Sequence, residues 1–380
     1  MIALCAFESI HEFRGTDSYA RNLIIGLAQV DRENSYMVIT NNAKPYRCVE
    51  KYNNFTIFEV NLGLDKIKSV NTKEQGISPD LLWMHSDLFQ LINQHRIKVL
   101  HFLGYLGLQF KRNDCTARII ATAHGMEHEY ASEMFRPEMV YMLKKSVPQT
   151  FRVADHIIAV SNNVKNEVIK LYQTDESKIT VVHHGISEEF RKTVTNMHGL
   201  DYPYILYVGS GEARKNVTSI IRGFSYFKKN NPLSELKLIA LGSGFDEYYI
   251  LIDELEMQND IIIMGFVAQD ELICFYQNAF AFVCLSLYEG FGLIVAEALS
   301  CSVPVIVSDI PIFREVTQGA GILIDPHDHH AFAENLKKLT TDMQLYNHLK
   351  NKAISMKNTY IVNKMAIETK EIYCKLLNQM

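Results

Sequence analysis

The sequence predicts an α/β protein of two domains, and three observations carry that prediction. At 380 residues the chain is long enough for two sizeable cores. Short apolar runs alternate along it with segments of helical periodicity, without low-complexity sequence or short repeats. The run from Ala279 to Leu287 has the apolar and aromatic composition of a strand buried on both faces of a parallel sheet.

Taken in chain order, MIALCAFESIHEF reads as a first strand, since it lacks the basic start of a secretory signal. The stretch RIIATA is a further short strand, and His124 follows it at a strand end. KITVVHHGI closes the first domain, which runs from residue 1 to about Phe190. The polar segment 191–203 (RKTVTNMHGLDYP) reads as a linker, and a second domain spans 204–357. There ILYV leads through GSGEARKN into a helix, and IIIMGFV is another strand. AFAFVCLSL is followed by EGFG and by LIVAEALS, whose good helix formers place apolar residues on one face. The segment 358–380 again has helical periodicity.

Composition narrows the function. Hydrophobic residues at 48% and charged residues at 21% are ordinary for a soluble globular protein, and no apolar run approaches the eighteen or so residues that span a bilayer. A cytoplasmic location is expected. Seven cysteines without a Cys-x-x-Cys pair, several in apolar segments such as Cys5, Cys284 and Cys301, read as reduced core thiols. Residues 1–200 carry a net charge of +1 and the remainder −6, which removes nucleic acid as the default partner. Lys144, Lys145 and Arg152 lie in MVYMLKKSVPQTFRVADH. They fit a peripheral membrane contact and an ordinary surface helix equally well, with Pro148 interrupting that helix.

The chemistry is concentrated at residues 289–297, EGFGLIVAE. Gly290 and Gly292 permit a tight turn and close approach of a ligand to the backbone. A helix that opens just after the carboxyl end of a parallel strand offers free N–H groups and its positive dipole end to an anion. Glu289 and Glu297 flank that turn, placed to accept hydrogen bonds from hydroxyls, one from a sugar and one from a ribose, while backbone donors hold a diphosphate. Lys215 and Arg214, in the strand-to-helix loop after Gly209, can meet diphosphate charge, lysine as a point and arginine as a fork. The GSG at 209–211 is no dinucleotide fingerprint, because position 214 is Arg where a third glycine belongs.

With these residues in view, the segment resembles the E-x7-E motif of retaining glycosyltransferases of the GT-B fold, specifically glycosyltransferase family 4. The likeness extends to ILYVGSGEARKNVTSIIRGF, IIIMGFV, SVPVIVSDIPIFREV and GAGILIDPHD, with weaker echoes in RGTDSYARNL, TAHGMEHE and AVSNNVKNEVIKLYQTDESKITVVHHGI. It implies two Rossmann-like doubly wound domains facing across a cleft, the first on the acceptor side, the second binding the nucleotide sugar. The C-terminal helix from about 358 crosses back onto the first domain.

By the same resemblance, Arg214 and Lys215 stabilise the departing diphosphate, with Ser210 standing where relatives often carry arginine, and with N–H groups around Phe291, Gly292 and Leu293. Glu289 binds sugar hydroxyls, Glu297 the ribose, and Val267 ends the base-side strand. His124 faces the transferred sugar, and Gly15 and Thr16 match a glycine loop near the diphosphate. Glu127, His128 and Glu129 either shape the acceptor pocket or face solvent. His327, His329 and His330 read as a solvated loop before a helix. With no Asp-x-Asp in the chain, neither a metal nor another cofactor is expected.

The expected reaction is hexose transfer with retention, GDP-mannose being favoured over UDP- and dTDP-sugars, to a saccharide or polyprenyl-linked acceptor at the inner face of the membrane in surface-polysaccharide (O-antigen, lipopolysaccharide) synthesis. An epimerase of related fold and a catalytically silent partner subunit are the alternatives, and a glycoside hydrolase fits poorly because its carboxylate pair would not flank an anion-binding turn.

Overall fold

The computed structural model describes residues 1–7, 15–60, 88–104, 115–134, 137–193 and 200–379. It divides into two compact units: Met1–Gly185 with Ile361–Met380, and Ile186–Tyr360.

The first unit holds a seven-stranded parallel sheet: β1 (Ile2–Cys5), β2 (Tyr36–Thr40), β3 (Phe55–Glu59), β4 (Val99–Phe102), β5 (Arg118–Ala123), β6 (His156–Ala159) and β7 (Ile179–Val181). Their order is β3-β2-β1-β4-β5-β6-β7. The chain steps outward from β1 on one side, returns to β1's other edge with β4, and steps outward again. Right-handed crossovers in the two directions put helices on opposite faces, which makes the sheet doubly wound. Fully buried strands such as β1, β2 and β4 are near-continuous apolar runs for that reason, interrupted only by Thr40 and His101.

Helix Gly15–Val30 lays Leu23, Ile24 and Leu27 on the sheet, and the C-terminal helix Val362–Asn378 packs on it with Met365, Ala366 and Tyr373. Contact is close enough that a Cβ on Gly26 would lie 2.6 Å from Val362 Cγ1. Beneath that helix runs a buried polar chain. His101 bonds Tyr373 Oη through Nδ1 at 2.6 Å and Thr122 Oγ1 through Nε2 at 2.8 Å. Burial holds the His101 imidazole down at about 3, so it is neutral.

The second unit repeats the plan with β8 (Tyr204–Val208), β9 (Lys237–Leu241), β10 (Ile261–Met264), β11 (Ala281–Cys284), β12 (Val305–Ser308) and β13 (Gly321–Ile324), ordered β10-β9-β8-β11-β12-β13, all parallel. Helices Val217–Asn230 and His329–Thr341 bury Phe224, Phe227, Phe332 and Leu336 against one face.

Several expectations are corrected. By contact the units divide at Gly185/Ile186 rather than within 191–203, because Phe190 belongs to the second unit: its ring meets Tyr276 at 5.8 Å and its carbonyl accepts from Cys301 Sγ at 3.2 Å. Residues 194–199 of the expected linker lie outside the described residues. β11 is four residues long, not nine, so Glu289 stands in the loop five positions beyond it. Helix Pro137–Val153 continues through Pro148. The ring removes one N–H, and the carbonyl so deprived is that of Lys144, an exposed residue whose carbonyl water can reach.

Of the cysteines, Cys48 is exposed and Cys374 half-buried, while the other five are buried, and none is in a disulfide. Among the described residues no helix is long and apolar enough to cross a membrane.

Candidate active site

In the second unit the strand order reverses between β8 and β11, which opens a crevice at their carboxyl ends, the usual ligand position in an open α/β sheet. The loops leaving these two strands carry Arg214 and Lys215 on one side and Glu289 on the other. The sequence separates them by more than seventy residues, and the topology brings them into contact. Lys215 Nζ lies 2.5 Å from Glu289 Oε1, and Arg214 Nη1 lies 3.2 Å from Glu289 Oε2.

Arg214 is anchored further by donating to the Tyr288 carbonyl at 3.1 Å and by Glu212 Oε2 at 3.2 Å, and its own carbonyl accepts from Leu287 N at 2.9 Å. Glu289 is 8% exposed. Burial alone would raise its carboxyl, but the charges of Lys215 and Arg214, with hydrogen bonds from Lys215 and Ser286, outweigh it and hold the group down at about 2.

Asn216 fixes the geometry of that loop. Its backbone is left-handed, at φ 54°, a conformation asparagine tolerates better than most residues. From there its side-chain amide donates to the Leu285 carbonyl at 3.1 Å and to the Pro326 carbonyl at 2.7 Å, tying together the loops after β8, β11 and β13. Ser210 lies in the tight turn after β8, where its carbonyl accepts from Tyr207 Oη at 2.7 Å. Gly211 is required by contact, since a Cβ there would stand 1.8 Å from the Gly244 carbonyl oxygen.

Gly290 and Phe291 lead into Gly292, the left-handed cap (φ 82°) of helix Leu293–Ser300. A Cβ on Gly292 would also meet Phe313 Cε1 at 2.5 Å, so both conformation and space demand glycine. The helix ladder starts with Val295 N and Ala296 N on the Gly292 carbonyl, at 2.9 and 3.2 Å. The N–H groups of Leu293 and Ile294 precede that ladder and face the helix's N-terminal end, an anion-binding geometry.

Glu297 sits in the second turn of this helix, half-buried, and accepts from Tyr276 Oη at 2.9 Å. Val267 is half-buried in the loop after β10, beside Phe266, which is 62% exposed.

In the first unit Gly15 and Thr16 form the first turn of helix Gly15–Val30 rather than a loop, with Asp17 beside them where the helix dipole favours an acid. Arg14, from the same stretch, lies outside the described residues. His124 stands directly after β5, 7% exposed, with Tyr19 edge-on at 4.9 Å. Its Nε2 is 2.6 Å from the Leu103 carbonyl oxygen, which can only accept. Nε2 therefore carries the proton, and Nδ1 is the acceptor nitrogen. Burial outweighs that hydrogen bond and lowers the imidazole to about 4, so it is neutral at physiological pH.

Of the two acids after it, Glu129 pairs with Lys144 at 3.3 Å, while the buried His128 meets Tyr172 Oη at 2.9 Å. His329 and His330 open the helix His329–Thr341, with His330 edge-on to Tyr226. Among the described residues no three His, Cys, Asp or Glu side chains converge as a metal site would require. Asn216 and Tyr276 carry no motif signal of their own. Only the adjacency of Asn216 to Arg-Lys, and an aromatic one turn before a strand, could have pointed to them.

Fold and site together define a protein of two doubly wound α/β units with a charged, anion-competent crevice at the switch point of the second. The glycosyl transferases group 1 family model matches residues 186–356, and the glycosyltransferase family 4 model matches residues 13–190. The chain belongs to the group 1, family 4 glycosyltransferases, with the GT-B fold.

It is 28% identical over 227 residues to the O-antigen chain mannosyltransferase RfbU of Salmonella typhimurium, covering 57% of this chain and 60% of that protein. It is 25% identical to the O-antigen chain mannosyltransferase B of Escherichia coli, covering 63% and 65%. The chain thus spans about three fifths of the length of the curated relatives it matches. Among solved structures, sucrose-phosphate synthase from Thermosynechococcus elongatus superposes with a TM-score of 0.79 over all of both chains at 18% identity, a likeness of fold.

Proposed function

We propose that the protein is a retaining, metal-independent glycosyltransferase that moves a hexose from a nucleotide-diphosphate sugar, GDP-mannose, to a saccharide or polyprenyl-linked oligosaccharide in surface-polysaccharide assembly. The observation that supports this best is the contact of Lys215 and Arg214 with Glu289 at the β8/β11 switch point, beside the N-terminal end of helix Leu293–Ser300. A diphosphate leaving group needs positive charge where its own charge develops, and two cations plus helix N–H groups supply it without a metal. The relatives named as mannosyltransferases favour mannose as the sugar.

In this mechanism the acceptor hydroxyl attacks from the face the diphosphate leaves, and the leaving-group oxygen takes the acceptor's proton, so no enzyme nucleophile is used. Glu289 accepts from sugar hydroxyls, Glu297 accepts from ribose hydroxyls, and the N–H groups of Gly292 and Leu293 donate to phosphate oxygens. His124, neutral with Nδ1 as acceptor, takes a hydroxyl hydrogen of the transferred sugar. Gly15 and Thr16, at a helix start in the first unit, add N–H donors for phosphate. Helix Pro137–Val153, with Lys144, Lys145 and Arg152, is the peripheral contact to the anionic inner face of the membrane.

The test is incubation with GDP-mannose, UDP-glucose and dTDP-sugars in the presence of chelator, with polyprenyl-diphosphate-linked saccharides as acceptors and product anomers read by NMR. Mannose transfer with the α-anomer retained is expected. Epimerised donor without transfer, or binding of no nucleotide, would overturn the proposal.

A further inference from the structure

Tyr276 is fully buried in helix Gln269–Asn278, yet its hydroxyl has a charged partner. The phenol carries one proton and two acceptors stand near it: Glu297 Oε2 at 2.9 Å and the Ile294 carbonyl at 3.3 Å. The shorter bond is to the charged oxygen, and charge-assisted bonds are the stronger ones, so the proton goes to Glu297. The ring has little freedom to follow any other course. Phe190 stands 5.8 Å away edge-on and Phe282 5.5 Å away, tilted, both on the same core. Burial first, and then the Glu297 charge, push the phenol far above its ordinary range, so it stays a proton donor at any working pH. Glu297 itself is half-buried, on a helix whose preceding cap, Gly292, is fixed by backbone and by Phe313.

We infer that Tyr276 is a positioning residue for nucleotide recognition: by occupying Glu297 Oε2 it fixes the carboxylate's rotamer and turns its other oxygen toward the ribose diol of a ribonucleoside diphosphate. The inference rests on the reading of Glu297 as the ribose acceptor. A glutamate has three side-chain torsions, and a bond to a diol gains most when these are set in advance. Tyr276 acts through Glu297 and touches no substrate.

The test compares wild type, Tyr276→Phe and Glu297→Gln for binding of GDP and UDP, of their 2′,3′-dideoxy analogues, and of inorganic diphosphate, by calorimetry. In wild type the ribose form should bind about tenfold or more tighter than its dideoxy analogue, the worth of a hydrogen bond to a charged group. Glu297→Gln should lose most of that preference. Tyr276→Phe should lose several-fold of it while leaving diphosphate affinity unchanged.

Tyr276→Phe with an undiminished ribose preference, beside a Glu297→Gln that loses it, would overturn the inference alone and leave Tyr276 a core residue. Glu297→Gln with the wild-type preference, or a wild type that binds neither ribonucleotide, would overturn the reading of Glu297 and the inference with it. A Tyr276→Phe too unstable to assay is replaced by Glu297→Asp, whose shorter arm withdraws from Tyr276; retention of the full preference there would equally overturn the inference.

Discussion

Replacing Glu289 by glutamine removes a charge and keeps the shape, leaving the half-buried Lys215 and Arg214 without the Glu289 carboxylate, while Arg214 keeps Glu212. The carboxyl falls from an ordinary 4.5 to about 2 in the folded chain. That difference of about 2.5 units corresponds to roughly 3 kcal/mol of folding stability. Breaking a buried ion pair from one side costs about 3–5 kcal/mol by mutation, so the two routes agree in order of magnitude.

The sign follows from the depressed value. The contribution is fully present above the unfolded carboxyl's 4.5, and is lost as pH falls from there through about 2. Hydrogen exchange of amides in β8 and β11 is the right assay, because it reports opening of the second unit irrespective of the first. At pH 7, protection in Glu289→Gln should drop by about two orders of magnitude, and the gap to wild type should narrow as pH is lowered below 4.5. Inorganic diphosphate should restore more protection to the variant than to wild type, since only there have both cations lost the Glu289 carboxylate. Protection within threefold of wild type at pH 7, or a gap independent of pH, would refute the reasoning.

Three further outcomes are expected. Gly292→Ala must adopt a left-handed backbone and press a Cβ against Phe313. It should lose more than about 1 kcal/mol by thermal unfolding, together with most nucleotide-dependent stabilisation. Asn216→Gly keeps the left-handed turn and loses both amide bonds, while Asn216→Ala loses the turn as well. Urea titration should rank wild type above Gly above Ala, with the first step costing about 1–3 kcal/mol from two carbonyls left unpaired. His124, its imidazole lowered to about 4, should show no titration near 6.5 by NMR of the labelled ring. Because its folded value is depressed, its contribution to stability is complete above 6.5 and declines as pH falls toward 4.

What the sequence made legible, and what it hid, divides along a physical line. Local chemistry was visible. A run that is apolar on every residue says that a strand is covered on both faces, so a parallel sheet was readable in β11 from the sequence. Gly292 was readable because a turn into a helix leaves few residues able to take its backbone. Arg214 and Lys215 could be assigned to an anion because they sit in a strand-to-helix loop. Long-range geometry was not visible. No spacing rule places Lys215 within 2.5 Å of Glu289, since that contact depends on β11 returning to pair with β8 after two strands have been laid on β8's other edge.

Element ends were misjudged for a related reason. Leu285 is as buried as the strand before it, yet β11 stops at Cys284 because the loop beyond is held from other directions: Leu287 N donates to the Arg214 carbonyl, and the Leu285 carbonyl accepts from Asn216. Apolar composition reports burial, and burial continues past the last ladder bond. The boundary between units failed in the same way. Polarity at 191–203 suggested a linker, but Phe190, fourteen residues before the strand that opens at Tyr204, is anchored in the second core through Tyr276 and Cys301. A boundary is set by which core a side chain enters, and one buried phenylalanine outweighs a run of polar neighbours that cost nothing in either position.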